Sequence, residues 1–272
     1  MGSNLLADRV EDILRSALRD AGDELLVVDP SVETTEKLIT VATTFDGDLP
    51  DLRVVGEEGV VKRVMDDFVV ASNAADLVDE GALSLRVTER EVDNSLLLTP
   101  ESVGALVTAD GAVAALTTED ESFISTAFSA YHDLWGESPE FSLRTPPLSL
   151  VRETLEDEIG AQTRQDFEAV LSSLETARGD GEGLDEVTIS LLVAARNEVL
   201  LYDISKWGED VGIASKATFS RTKTRLEDLG LIDTEKVPID VGRPRLRLKL
   251  GDDRLRGADS GELASIATTL LD

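Results

Sequence analysis

Apolar residues recur at helical spacing through Leu6, Val10, Ile13, Leu14, Ala17, Leu18 and Ala21. They predict an amphipathic first helix with Ser3 or Asn4 as its cap. The next run, from Glu24 to Asp29, is almost wholly apolar and stops at Pro30, as a strand buried on both faces would. A helix over 32–43 follows, ended by Asp46-Gly47-Asp48, then a strand over 52–56 and helices over 58–68 and 71–80. This alternation predicts βαβ units and a parallel, doubly wound sheet.

The rhythm then changes. Strand-like runs near 83–87, 95–98, 103–108 and 112–117 come without intervening helices, which makes the expected sheet mixed. Asp110-Gly111 is a two-residue hairpin signal, because both residues tolerate positive φ. Phe123, Phe128, Tyr131 and Trp135 would lie on a closing helix that covers the sheet, and 136–147, with Pro139, Pro146 and Pro147, reads as a linker. Beyond it, Leu150, Val151, Leu155 and Ile159, then Phe167, Val170, Leu171 and Leu174, mark two polar helices with one apolar stripe each. Such stripes serve either a dimer-forming connector or packing onto a neighbouring domain. Residues 179–183, Gly-Asp-Gly-Glu-Gly, form a break that lacks the ligand spacing of a calcium loop, so no metal is expected there.

Length and composition narrow the classes. With 272 residues, 42% hydrophobic, 30% charged and 8 Pro, the chain is long enough for two cored domains and is neither disordered nor collagen-like. No apolar run approaches the roughly 20 residues that span a bilayer. The first residues show neither a basic segment nor an apolar one behind it, so a cytoplasmic chain without membrane attachment is expected. Zero Cys excludes disulfides, thiol chemistry and Cys-ligated metal. The formal net charge is −29, with Lys scarce beside Arg (7 against 19) and aromatics at 4%. A dense, Lys-poor carboxylate surface suits a cytoplasm at very high salt, where self-repulsion is screened.

Such a charge should repel nucleic acid, but its distribution is uneven. From Lys216 to Lys249 nine basic residues face five acids, a net +4, while the other 17 bases and 50 acids leave −33 elsewhere. The island carries a recognisable pattern. Helices are expected over 187–195 and 202–211; Gly212 then permits a tight turn, and Ser215 stands where a cap begins the next helix. Phe219, Thr222, Leu226 and Leu229 fall on one face of that helix, whereas Ser220, Arg221 and Thr224, flanked by Lys216 and Arg225, fall on the other. Short polar residues with Arg and Lys are what a helix entering the major groove requires. Strands over 234–239 and 246–250 around Asp240-Val241-Gly242-Arg243-Pro244-Arg245 would add a wing with a basic tip.

The string Gly212-Ile213, Ser215, Thr218, Ser220-Arg221, then Leu226, Leu229-Gly230-Leu231-Ile232 and Gly242-Arg243-Pro244-Arg245 resembles prokaryotic winged helix-turn-helix regulators. Over its whole length the chain is similar to haloarchaeal transcriptional regulators of the TbsP type and, more distantly, to archaeal TrmB-type sugar-sensing regulators. The resemblance implies candidate DNA contacts at Ser215, Lys216, Thr218, Ser220, Arg221, Lys223, Arg225, Arg243 and Arg245. It also implies a phospholipase-D-like effector domain, although the order here, sensor first and reader last, is the reverse of the TrmB type. The expected division is 1–138 for an α/β domain, 139–183 for linker and connector helices, 184–257 for the winged helix, and 258–272 for a C-terminal helix.

Catalysis is not expected of the first domain. Phospholipase-D chemistry needs His-x-Lys pairs, and the single His132 is followed by Asp133 and Leu134. No phosphate-binding glycine loop occurs, so no cofactor is expected. In open α/β sheets ligands sit beyond the carboxyl ends of the strands, which places Asp29, Ser31, Glu57 and Glu58 near a pocket, with Arg53, Arg86 or Arg90 as cations for a phosphate. A sugar or sugar phosphate is the expected effector, and duplex DNA and a second copy of the chain the expected partners. Two other readings stay open: a chromatin-associated protein whose first domain only dimerises, and a winged helix that binds protein.

Overall fold

The computed structural model describes residues 5–7, 9–109, 112–118, 120–174, 184–239 and 244–271. The chain divides into two units, Met1–Met65 with Asn73–Leu143, and Asp66–Ser72 with Arg144–Asp272. Among the described residues no helix is long and apolar enough to cross a membrane.

The first unit is built on a seven-stranded mixed sheet of β1 (Leu5–Ala7), β2 (Glu24–Val28), β3 (Asp51–Glu57), β4 (Leu83–Thr88), β5 (Leu96–Thr99), β6 (Ser102–Ala109) and β7 (Ala112–Thr118). They lie in the order β1-β7-β6-β5-β2-β3-β4. As the alternation predicts, β2, β3 and β4 run parallel, with α2 (Val32–Thr43) between the first two and α3 (Glu58–Met65) and α4 (Phe68–Asp79) between the second two. The chain then returns to the other side of β2, where β5 pairs antiparallel to it, and β6 and β7 extend the sheet as a meander. Strand β2 is therefore central and covered on both faces, which is why Leu25, Leu26, Val27 and Val28 are all buried. The Ala109↔Ala112 register fits a two-residue connection; Asp110 and Gly111 themselves, like Ser3, Asn4, residues 179–183 and Arg243, lie outside the described residues.

The expected first helix starts later than its periodicity suggests. Helix α1 spans Val10–Asp20, with Arg9 at its cap position making no side-chain cap bond. Leu5–Ala7 is instead a strand that pairs antiparallel with β7. Leu6 stands four residues before Val10, the helical interval, but the open edge of β7 offers its backbone partners that a frayed helical turn would not have. Helix α5 (Glu121–Glu137) closes over the sheet through Ile124, Leu134 and Trp135, which join Leu26, Val28, Leu98 and Val103, with Phe128 and Tyr131 packed at the margin. Phe123 does not take part; it is 56% exposed, because Ile124 takes the inward position of that turn. Part of the expected linker is ordered against the sheet: the Val87 and Phe141 amides donate to the carbonyls of Pro139 and Leu85, so the chain after α5 shields the edge of β4.

The second unit comprises α6 (Leu148–Glu158), α7 (Ala161–Ser173), α8 (Glu186–Arg196), α9 (Leu201–Val211), α10 (Lys216–Asp228), the hairpin β8 (Ile232–Val237) and β9 (Arg245–Leu250), then α11 (Asp253–Gly257) and α12 (Ser260–Leu271). Helix α8 is buried without a break from Val187 to Ala195 and forms the axis of the core. The stripes of α6 and α7, with Val151, Leu155, Phe167 and Val170, belong to that same core, as do Leu263, Ala264 and Ala267 of α12. These side chains are already covered within one chain. A polar node fastens the arrangement: buried Asp166 of α7 accepts from Asn197 Nδ2 (2.8 Å), Ser260 Oγ (2.6 Å) and Gln162 Nε2 (3.2 Å). Trp207 of α9, fully buried, donates its indole N–H to Thr154 Oγ1 of α6 at 3.0 Å.

Helices α9 and α10 pack closely where the ring of fully buried Phe219 lies over Gly208. A Cβ on Gly208 would stand 2.3 Å from that ring. Gly208→Ala should therefore destabilise the unit. The helix-propensity gain of about 1 kcal/mol is outweighed by roughly 1–3 kcal/mol of overpacking. A lowered urea midpoint with an unchanged slope is the expected result, and a raised midpoint would mean the ring yields.

Candidate nucleic-acid interface

Helix α9 ends because Gly212 takes a left-handed conformation, φ +93°, from which the chain reverses toward α10. The Ile213 and Ala214 amides close the turn on the Gly208 carbonyl. Ser215 then caps α10, its hydroxyl accepting from the Thr218 amide at 3.1 Å while touching Thr218 Oγ1 at 3.0 Å. Both residues are thus engaged in starting the helix, at the end that would meet DNA. On α10, Phe219 and Leu226 point into the core. Leu229, expected on the same face, is exposed, since it already belongs to the C-terminal cap.

The opposite face carries Ala217, Ser220, Arg221, Thr224 and Arg225, all exposed. Arg221 reaches back to Thr218 Oγ1 at 3.3 Å. Among the described residues no carboxylate lies within ion-pair distance of Arg221 or Arg225. Lys223 is placed otherwise than the resemblance implies. It is only 8% exposed and its ammonium lies 2.6 Å from Glu227 Oε2, while Thr234 Oγ1 donates to Glu227 Oε1 at 2.7 Å. Burial pushes the Glu227 carboxyl up, but the hydrogen bonds from Lys223 and Thr234 and the lysine charge outweigh it and hold it below the usual range. Lys223 falls four residues after Phe219 and three before Leu226, so the helix turns it inward, where it ties α10 to the hairpin.

Two further cations meet acids of α9. Lys216 Nζ lies 2.7 Å from Glu209 Oε2, and its amide donates to Glu209 Oε1 at 3.2 Å; these hydrogen bonds hold the Glu209 carboxyl below its ordinary range. Arg245, at the outer end of β9, lies 3.3 Å from Asp203 Oδ1, its guanidinium 4.3 Å from the centre of the Tyr202 ring. Sequence reasoning left out Tyr202, Asp203 and Glu209. Their signal was two acids and an aromatic on the helix before the turn, which patterning assigns only to a solvated face.

In the first unit the carboxyl ends of β2, β3 and β4 open onto a cleft of about 740 Å³ lined by Asp29, Glu57, Glu58, Thr88, Glu89 and Arg90, among others. Asp29, Glu57 and Glu58 are thus brought to one cleft. Asp29 has φ +46°, and burial, followed by the neighbouring Glu57 charge, raises its carboxyl despite a hydrogen bond from the Glu57 amide. Ser31 is occupied as the cap of α2, accepting from the Thr34 amide at 3.1 Å. Arg86 does not line the cleft. It donates to the Trp135 and Gly136 carbonyls at 2.8 and 3.1 Å and stacks on Trp135, closing the end of α5. Arg53 is bound to Asp51 and Glu24, and Arg90 pairs with Glu137 at 2.5 Å. Thr88 and Glu89 follow from the same strand-end rule once β4 is counted with β2 and β3.

Residues 2–146 match the family described as transcriptional regulator TbsP-like, N-terminal, and residues 147–268 match the TbsP-like C-terminal helix-turn-helix domain. No curated protein matches the chain. Among solved structures it is similar to TrmBL2, an archaeal chromatin protein, at 12% identity and a TM-score of 0.36, over 52% of this chain and 55% of that one. The chain thus spans about half the length of that protein, at a level of likeness that carries no functional weight. Matched from residue 2 to residue 268, the chain belongs to the family of TbsP-like transcriptional regulators.

Proposed function

We propose that this regulator binds DNA sequence-selectively as a dimer, inserting α10 into the major groove, and that its first unit senses a metabolite and so controls genes of carbohydrate metabolism. The observation that carries the DNA reading is the exposed face of α10. Small residues there allow close approach, and Arg221 and Arg225 stand free of described carboxylates while Lys223 is withdrawn. Phosphate contacts come from Lys216 and from the wing residues Arg243 and Arg245. The acidic remainder of the molecule is an adaptation to concentrated salt, where a Debye length of about 3 Å screens it from DNA beyond the contact surface.

The proposed effector is a polyhydroxylated, uncharged metabolite. The cleft offers Asp29, Glu57, Glu58 and Glu89 as acceptors for hydroxyls, and its one described cation, Arg90, is already paired. That balance favours a sugar over its phosphate. The sensing role rests on the cleft and does not require a phospholipase-D-like architecture.

Footprinting at molar salt tests the DNA reading. Arg221→Ala should relax discrimination by about 1–3 kcal/mol at the base it contacts. Alanine at both Arg243 and Arg245 should weaken binding to all sequences and lower the salt slope. The reverse assignment, or no protected site at all, would refute the docking.

A thermal-shift panel of sugars and sugar phosphates tests the sensor, since a ligand that binds only the folded state raises Tm. Asp29→Asn makes a second, opposite prediction. A carboxyl whose folded pKa is raised costs stability once pH exceeds its unfolded value of about 3.9, and the cost is complete above the folded value. The amide tolerates positive φ and keeps an acceptor for the Glu57 amide. The variant should therefore melt higher than the parent at neutral pH, match it below about pH 4, and lose the shift produced by the effector. A lower Tm at neutral pH would overturn the electrostatic reading of Asp29, and silence across the panel would leave the first unit without a sensing role.

A further inference from the structure

Helix α9 places acids against cations that the DNA reading requires. Glu209 holds Lys216, the first residue of α10, through its ammonium at 2.7 Å and its amide at 3.2 Å. Asp203 holds Arg245 at 3.3 Å, with the guanidinium steadied by its stack on Tyr202 at 4.3 Å. A third acid, Asp210, is bound by Lys206 one turn earlier on α9. Both DNA-side pairs are exposed on each partner, so neither contributes much to folding. A carboxylate beside Lys216 has the charge and the oxygen geometry of a phosphate and sits where a phosphate would.

Resting on the DNA reading above, we infer that Glu209 and Asp203 act as internal stand-ins for phosphate, each occupying one DNA-facing cation in the free protein and yielding it when DNA docks. The consequence is thermodynamic. A cation that neutralises a phosphate releases about 0.9 counterion from the duplex. When that cation is first taken from a carboxylate, the carboxylate is left uncompensated beside DNA and takes up a monovalent cation from solution. The uptake offsets the release. Binding is weakened at low salt, and it falls less steeply with rising salt than the number of basic residues at the interface would require.

The test uses the full chain and a labelled duplex of random sequence, titrated by fluorescence anisotropy in KCl from about 0.1 to 1 M. Glu209→Gln and Asp203→Asn are compared with the parent and with Glu80→Gln, which removes an exposed acid at the end of α4. Each of the first two should tighten binding about two- to fivefold at the lowest salt, the worth of an exposed ion pair, and steepen the salt slope by about 0.9. Glu80→Gln should leave the slope as it is. Slopes for Glu209→Gln and Asp203→Asn equal to that of Glu80→Gln, or weaker binding by either, would overturn the inference alone. Failure of every form to bind at any salt in this range would overturn the DNA reading together with it.

Discussion

The contact between Phe219 and Gly208 decides what the second unit can present to a partner. With the ring seated on a residue that has no side chain, α10 is fixed in its rotation about its own axis. That rotation turns Leu226 into the core, tucks Lys223 against Glu227, and leaves Ser220, Arg221, Thr224 and Arg225 outward. A helix rotated by one residue, about 100°, would bury Ser220 and expose the apolar face. The exposed row is therefore a consequence of core packing rather than of the preferences of the polar residues themselves. Gly212 plays the complementary part, since its left-handed conformation sets the angle at which α10 leaves α9.

Charge is the second constraint, and it works at short range. A chain at −29 meets a polyanion only if repulsion is screened and the contact surface is locally positive. Counting residues puts nine bases against five acids between Lys216 and Lys249, but the structure divides them by use. Lys223 and Lys249 are held by Glu227 and Glu235, Arg247 faces Glu198 at 4.0 Å, and Lys216 and Arg245 are shared with acids of α9. Arg221 and Arg225 are the described cations of this segment that stand on the exposed row of α10 without such a partner. Positive charge here is concentrated by removing competing acids from one helix face, more than by adding bases to the domain.

Much of this was legible in the chain because it rests on local rules. The βαβ alternation, the bounds of α2, the αL turn at Gly212 and the Ser215 cap each follow from spacing or from one residue's backbone preference. What stayed illegible depends on partners distant in sequence. Leu6 keeps the helical interval to Val10, and only the unpaired edge of β7, about a hundred residues later, makes Leu5–Ala7 a strand. Arg86 at the end of a strand looks like a ligand cation until α5 delivers the Trp135 and Gly136 carbonyls to it. Lys223 belongs to a basic run until Thr234 and Glu227 close around it. Patterning assigns a polar residue to a face, but it does not say what that face meets.

The polar groups of the two units part company on that point. Buried Asp166 accepts from Gln162, Asn197 and Ser260 and has Arg196 Nε at 3.6 Å, so its charge is compensated where it stands and its work is to fasten three helices. Asp29 is the opposite case. It is half-buried beside Glu57, its carboxyl is raised, and its backbone adopts a conformation that non-glycine residues seldom take. Nothing in the fold of β2 requires an acid at that position, and an amide would fit the same turn with less electrostatic cost. Groups of this kind cluster at binding sites. The strand ends around Asp29 are where a doubly wound sheet leaves its crevice, and a hydroxyl donated to Asp29 there would add to the bond that it receives from the Glu57 amide.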